Sequence, residues 1–506
     1  MFFMYFPVYI FFFSIFPILS LFANNRDEIF YNDLFLVIIP AILLALFLFL
    51  ILNFVFKNRI KAGISASLYT LLFFSYWHIY KFFQSIFPIL LTIRQRYFFG
   101  AWLVLLLLIG WLLWKTKRNL ETTERAFNIM GVVLIMMPLV SIAAYDLRLQ
   151  FDLSGSQQLE TFTEKVMPVA EKYKGLKPDI YYIVLDGYAN NETLKKLYSY
   201  DNRQFLEYLS DAGFYVVEDS TSNYTITSLA LVSMLNMQYV NQVIEKNSPK
   251  AVSKIFSKAV RDNEVIRILQ LFGYSIFHFS SGYSYTDYNK YADINFRLGY
   301  LNQFYIHTLR MTMLGPFYEK YFSNNKRKAI LYTFDKLSEM PEYTKPKFIF
   351  AHIMAPHPPY VFGPNGEEIS SVYELEGDVW GYRELYAEQL FFINKKLKEL
   401  IDKIIASDEN AIIVMQSDHG TASLGEWDNP SNDFLNERMR NFSAYRLPGS
   451  TTPEEITKTP VNTFRMILKH YFGVDIEFLE PKNYYTSYDR DEMYDFVDVT
   501  NDIKIW

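Results

Sequence analysis

The chain is 506 residues long with a formal net charge of −5; 51% of it is apolar and 18% aromatic. That length calls for at least two folded units, and the mildly acidic balance argues against a nucleic-acid partner. Cysteine is absent, so disulfides and thiolate metal sites are excluded and any metal must be held by Asp, Glu, His or hydroxyl groups.

Mean hydropathy is close to neutral because two unlike halves average out. Up to about Tyr145 the chain is dominated by Phe, Leu and Ile; beyond it the composition is that of a charged globular domain. Crossing a bilayer takes roughly 20 apolar residues. Phe2–Phe22, Leu34–Phe54, Ile64–Phe82, Phe98–Trp114 and Phe127–Ala144 qualify or nearly do, the third being weakest because it carries Trp77, His78 and Lys81. The first lacks a basic n-region and a small-residue cleavage site, so it reads as a retained anchor. His78 reads as an interfacial residue near a helix end. Lys57, Arg59 and Lys61 follow the second stretch, and Lys115, Lys117, Arg118 and Arg125 follow the fourth, whereas only Arg26, Arg94 and Arg96 occupy the alternate loops. The positive-inside rule then predicts five spans, an internal N-terminus and everything after Tyr145 outside the cytoplasm. Four or six spans with the domain inside is the alternative.

The expected organisation is a transmembrane domain at 1–145, a juxtamembrane linker at 146–176, a soluble domain at 177–475 and a C-terminal tail at 476–506. The linker carries Ser154-Gly155-Ser156, and Leu159–Tyr173 is expected as an amphipathic helix along the membrane surface. From Lys177 strands and helices alternate, the α/β pattern. Ile180–Leu185 suits a buried parallel strand. Glu192–Ala212 is expected as a helix ended by Gly213, and Phe214–Val217 as a strand. A hydroxyl-rich turn, Ser222–Ser228, runs into an apolar helix at Leu229–Leu235. Asn263–Phe272 is expected as a helix closed by Gly273 and followed by the strand Tyr274–Phe279. Lys347–Ile353 is a strand leading to Ala355-Pro356-His357, Tyr382–Ser407 a long helix, and Ala411–Gln416 a buried strand leading directly to Ser417-Asp418-His419-Gly420.

Ligands of open α/β sheets bind beyond the carboxyl ends of the strands. Asp186, His278, His357, Asp418 and His419 all follow such strands. Singly, each has a bland reading: Asp186-Gly187 as a turn or cap, the histidines as satisfied loop residues, a Thr at a helix start as an N-cap. Jointly they offer hard oxygens and imidazoles to one cation, beside a hydroxyl whose developing charge a helix N-terminus would favour.

The order of these motifs, strand-Asp186, Thr227 at a helix start, Ala355-Pro356-His357, then Ser417-Asp418-His419-Gly420, resembles the alkaline phosphatase and sulfatase superfamily. The resemblance covers roughly Pro178 to Gly473, including Pro460–Gly473. With the apolar spans ahead of it, the chain looks like the lipoteichoic acid synthases and lipid A phosphoethanolamine transferases. The fold so implied is a bundle of five transmembrane helices followed by an α/β sandwich domain of alkaline phosphatase/sulfatase type. By position, the resemblance implies one divalent cation (manganese, zinc or magnesium, the first two favoured by the imidazole) held by Asp186, Thr227, Asp418 and His419. Thr227 would be the nucleophile, with Thr225 its close competitor, and His278 and His357 would bind the transferred group, with His352 a lesser candidate inside its strand. The chain departs from the pattern in three ways. The synthases carry an Asp and an Arg shortly after the histidine matching His278, and both are missing. No Cys or Ser stands in a C/S-x-P-x-R motif, so ordinary sulfatase chemistry is not expected. A second metal set is also absent.

The expected function is metal-dependent transfer of a phosphoglycerol- or phosphoethanolamine-type group from a membrane lipid donor to an envelope glycan or lipid, through a phospho-threonine, at a bacterial-type inner membrane. A hydrolase using the same site and a non-catalytic envelope binding protein are the alternatives.

Overall fold

The computed structural model describes residues 6–26, 31–86, 95–154, 158–299, 303–322, 325–344, 346–369, 379–449, 456–487 and 494–504. Of the linker's Ser154-Gly155-Ser156, only Ser154 is among them. The chain divides into two compact units, Met1–Ser154 with Leu301–Ser323, and Gly155–Tyr300 with Asn324–Trp506.

The first unit contains α1 (Tyr9–Asn24), α2 (Tyr31–Phe56), α3 (Arg59–Ile86), α4 (Gln95–Lys115) and α5 (Glu121–Ser154). Among the described residues, three segments are long and apolar enough to cross a membrane: Asp33–Phe56, Arg96–Lys115 and Glu121–Asp152. Their apolar side chains face outward, as with Phe35, Leu107 and Met137, the reverse of a water-soluble helix and the expected state in lipid. The helix α1 is shorter, and α3 carries the polar residues that weakened its sequence signal. Beyond Tyr145, where the juxtamembrane linker is expected to start, α5 continues to Ser154. Asp146 does not break it, because its carboxylate pairs with Arg26 at 3.0 Å and accepts from the Tyr31 hydroxyl. At the other end Lys61 Nζ donates to the carbonyls of Trp114 (3.1 Å) and Thr116 (2.6 Å). The two basic loops therefore share one end of the bundle.

The second unit is built on a seven-stranded sheet. Its strands are β1 (Ile180–Leu185), β2 (Tyr215–Val216), β3 (Ser275–Phe279), β4 (Ile294–Phe296), β5 (Lys347–Ile353), β6 (Ile412–Gln416) and β7 (Ser443–Arg446), in the order β2-β7-β6-β1-β5-β3-β4. The strands β6, β1, β5, β3 and β4 run parallel, while β7 is antiparallel to both β6 and β2. Every residue of β1 is buried, as its unbroken apolar run requires of a strand covered on both faces. The helix Arg383–Ser407 buries Tyr386, Leu390, Ile393, Leu397, Leu400, Ile401 and Ile404, one apolar stripe at helical spacing.

The bounds of two expected helices change. The helix expected over Glu192–Ala212 is two, Asn191–Tyr198 and Arg203–Asp211, because Ser199 turns left-handed (φ 50°) and ends the first. The helix expected along a membrane surface is Thr163–Lys172. It buries Val166, and Glu264 accepts the N–H groups of Phe162 (2.7 Å) and Thr163 (3.1 Å). Met167 on the same helix stays exposed.

Candidate metal and nucleophile site

Strand order assembles the site. The strand β1 lies between β5 and β6, with Val184 in register with both His352 and Gln416. The residues following β1 and β6 and the last residues of β5 are therefore neighbours, although they are far apart in sequence. Each acidic turn needs its glycine. Gly187 has φ +68°, and a Cβ there would lie 2.6 Å from the Trp380 ring; a Cβ on Gly420 would run into the carbonyl oxygens of Glu437, Arg440 and Arg438.

Asp186, His352 and Asp418 each bring a ligand atom to within 4.8 Å of the others. Asp186 Oδ1, Asp418 Oδ2 and His352 Nε2 are buried without a hydrogen-bond partner. Unpaired buried polar atoms are costly. Three that converge, two of them carboxylate oxygens, form a donor set suited to one divalent cation.

His419 adds a fourth atom. Its Nδ1 faces the Gly420 carbonyl at 2.8 Å, which fixes the proton there and leaves Nε2 as the lone-pair nitrogen. That nitrogen lies 2.9 Å from Thr227 Oγ1, 3.2 Å from Asp418 Oδ2 and 3.8 Å from Asp186 Oδ1. Thr227 is the first residue of the helix Thr227–Asn236 and is partly exposed. Thr225 is fully buried; its hydroxyl donates to the Thr486 carbonyl at 3.1 Å and accepts the Thr486 N–H at 3.2 Å.

The remaining histidines differ in reach. His357 stands on the loop after β5, where its backbone N–H donates to the Asp186 carbonyl at 3.0 Å. Its Nε2 is 4.0 Å from Asp186 Oδ1, and its side chain is 30% exposed, so it can meet an incoming group. His352 lies inside β5, as its sequence position indicates, yet its Nε2 is 3.4 Å from Asp186 Oδ2 while Nδ1 meets Thr286 Oγ1 at 2.8 Å. His278 lies within β3 and not beyond it; its Nε2 meets the Thr286 carbonyl at 2.9 Å. It connects to the Asp186 carboxylate through two residues, Thr286 and then His352.

The two carboxylates share one buried space. Burial and the Asp186 charge push Asp418 up to about 7. Asp186 is itself held low: burial acts against ionisation, but His357, His352 and His419 outweigh it. One carboxylate thus stays charged while its neighbour holds a proton, and a dication would let both ionise. Burial lowers His419, His357 and His278, the last to about 4, keeping these imidazoles neutral and able to act as ligands or acceptors.

Sequence reading missed three residues. Lys326 Nζ donates to the carbonyls of His357 (2.6 Å) and Pro359 (3.1 Å), tethering the loop that carries His357. Burial draws its ammonium down to about 7 against the pull of Asp186. Buried Arg438 donates to the Thr225 carbonyl (2.8 Å) and the Gly420 carbonyl (3.0 Å), joining the loop before Thr227 to the loop after His419. Trp380 packs edge-on against His357, ring centres 4.8 Å apart. Lys326 and Arg438 are ordinary helix positions in sequence, and nothing local marks them.

A family model described as sulfatase matches residues 178–461. No curated protein matches the chain. Similar solved structures include the C-terminal periplasmic domain of EptC from Escherichia coli in complex with Zn, 15% identical, covering 64% of this chain and 93% of that one with a TM-score of 0.44. They also include the integral membrane protein lipooligosaccharide phosphoethanolamine transferase A from Neisseria meningitidis, 13% identical, covering 92% of this chain and 96% of that one with a TM-score of 0.41. At such identities the likeness decides neither substrate nor reaction. The family model spans more than half of the chain, from the residues just before β1 to those following β7, and the chain belongs to the sulfatase family of enzymes.

Proposed function

We propose that this membrane protein transfers a phospho-substituent of phosphoglycerol or phosphoethanolamine type from a lipid to an envelope glycan or lipid acceptor. The observation that carries the reading is a partly exposed Thr227 hydroxyl 2.9 Å from the lone-pair nitrogen of His419, at the edge of two buried carboxylates that each leave one oxygen without a hydrogen-bond partner. Position 227 holds neither Cys nor Ser, and no cysteine exists in the chain, so the formylglycine route to sulfate-ester hydrolysis has no residue to start from. A threonine hydroxyl can instead form a phosphoester.

Asp186, Thr227, Asp418 and His419 would hold one divalent cation, zinc, manganese or magnesium, with His352 beside them. Such an ion balances phosphoryl charge and eases ionisation of a nearby hydroxyl. Thr227 Oγ1 attacks phosphorus, the bond from phosphorus to the lipid oxygen breaks, and the threonine proton leaves with the lipid alcohol. An acceptor hydroxyl then attacks the same phosphorus, the bond from phosphorus to Thr227 Oγ1 breaks, and the acceptor's proton passes to the released threonine oxygen. His357, at the exposed rim with its Nδ1 facing the Pro358 carbonyl, would, once protonated beside the phosphate, donate from Nε2 to a phosphoryl oxygen; His278, bonded to the Thr286 carbonyl, would act on that group through Thr286 and His352. The helix starting at Thr227 favours negative charge at its N-terminus. Five spans with the basic loops inside would place this chemistry outside the cytoplasm; Lys61, bonded to the α4–α5 loop, supports both basic loops lying on one side.

The test supplies full-length protein in lipid vesicles with phosphatidylglycerol or phosphatidylethanolamine labelled in the headgroup. The expected result is a labelled phosphoester on the peptide containing Thr227, chased onto a glycan or lipid acceptor. Label appearing only in water would favour the hydrolytic reading, which family membership supports. Undiminished turnover in Thr227→Val would overturn both.

A further inference from the structure

Residues Leu301–Ser323 lie in sequence between β4 and β5, yet they pack as part of the membrane unit. They form two short helices, Gln303–Met311 and Gly315–Phe322. Phe304 and Met311 are buried in one cluster with Ile18, Leu19, Phe22, Leu34, Phe74 and Ile142, and Met313 is buried with Tyr76 and Trp102.

The turn between the helices meets the strictest requirement of a backbone inside hydrocarbon, that no N–H be left unpaired. Thr312 N donates to Leu309 O, Met313 N to Phe73 O in α3 (2.9 Å), Gly315 N to Thr312 O, and Phe317 and Tyr318 N both to Leu314 O. Leu314 N donates to the Thr312 hydroxyl at 3.0 Å, and that hydroxyl donates to Leu309 O at 2.7 Å. Residue 316 is proline and has no N–H.

Depth follows from helix rise. At about 1.5 Å per residue, Phe73 lies roughly 18 Å along α3 from Lys61, which marks the basic end. In a hydrocarbon core about 30 Å thick, that is on the order of 10 Å short of the opposite boundary. An independent measure agrees: Trp102, packed on Met313, lies about 9 Å along α4 from Arg96 by the same rise. The outward positions at the tip are apolar. Leu314 and Phe317 are each 47% exposed, and Phe317 sets its ring edge-on to Phe99 of α4, centres 5.4 Å apart. This continues the outward apolar surface of α4, where Leu103, Leu107 and Trp111 are exposed.

We infer that Gln303–Phe322 is a re-entrant hairpin whose tip, Thr312–Phe317, is immersed in the leaflet opposite the basic loops, with Leu314 and Phe317 against lipid acyl chains. The second half of the sequence thus contributes its own lipid-contacting element to the membrane unit. This inference is independent of the reaction proposed above.

The absence of native cysteine makes the test direct. Single variants Leu314→Cys and Phe317→Cys, with Leu107→Cys as lipid reference and Ser210→Cys on the exposed face of its helix as aqueous reference, carry a nitroxide label. The full-length protein is placed in phosphatidylethanolamine/phosphatidylglycerol nanodiscs. Collisions with oxygen relative to a water-soluble nickel chelate are expected to be several-fold higher at 314 and 317 than at 210, and to match 107. Ratios at both tip positions equal to that at 210 would overturn the inference. Should one variant fail to fold, the other decides.

Discussion

His419 Nε2 lies 2.9 Å from Thr227 Oγ1 and 3.2 Å from Asp418 Oδ2, so one nitrogen ties the partly exposed Thr227 hydroxyl to the buried carboxylates of the site. Replacing Thr227 by Val keeps its shape and removes the hydroxyl. Turnover should fall by about 10³-fold or more, the scale of losing a nucleophile, while metal content per chain stays measurable. Thr227→Ser should retain part of the activity. Rates on a chromogenic phosphodiester, set beside elemental analysis, check this.

Asp418 bears opposite consequences for stability and function. Its folded pKa is raised to about 7, so the metal-free folded state binds more protons than the unfolded state between about pH 4 and 7. Stability of the metal-free protein should therefore fall as pH rises through that window. Asp418→Asn should remove the fall and raise the melting temperature without metal, yet abolish metal binding. Thermal melts at pH 4.5 and 7.5, with and without zinc, decide it; an unchanged pH slope in the variant would count against the assignment.

His352 is the imidazole whose role sequence position understates. If its Nε2 belongs to the donor set, His352→Ala should weaken metal affinity by at least the roughly 10–100-fold that losing even a ligand's supporting partner costs. His278→Ala should leave affinity within a few-fold of the native protein. Competition with a fluorescent zinc chelator measures both, and equal losses would place the two histidines on the same footing.

Lys326 titrates in the other direction. Its folded pKa of about 7 lies below the unfolded value of 10.5, so the unfolded chain binds more protons between pH 7 and 10.5. Stability should rise with pH across this window as the ammonium discharges. Lys326→Met should be relatively more stable at pH 7 than at pH 10, and denaturant midpoints at the two values are the measurement.

Gly420→Ala should destabilise the soluble unit by about 1–3 kcal/mol, the usual range for overpacking, because the added methyl meets backbone carbonyls with no flexible tip to yield. A midpoint shift in chemical denaturation checks it.

Much of the architecture is legible in the sequence because its signals are local. The apolar run Ile180–Leu185 can only be a strand covered on both faces, and the polar residues that follow β1 and β6 can only emerge at the sheet's carboxyl edge. The break at Ser199 was not legible, since the left-handed turn there interrupts an otherwise continuous helical pattern. Thr225 and Thr227 are equivalent as letters; the difference arises because residues near Thr486, far along the chain, occupy one hydroxyl and leave the other facing His419.

The sequence by itself determined that an apolar helical part precedes an α/β part, and which strand ends carry Asp186 and the Asp418-His419 pair. Hydropathy and side-chain period are properties of neighbours along the chain. Only the tertiary structure decided that His352 faces Asp186, that Lys326 and Arg438 hold the loops of the site, and that Leu301–Ser323 packs with the membrane helices. Those are relations between distant residues, and they are set by the order in which β6, β1 and β5 lie side by side and by which buried groups must find a partner.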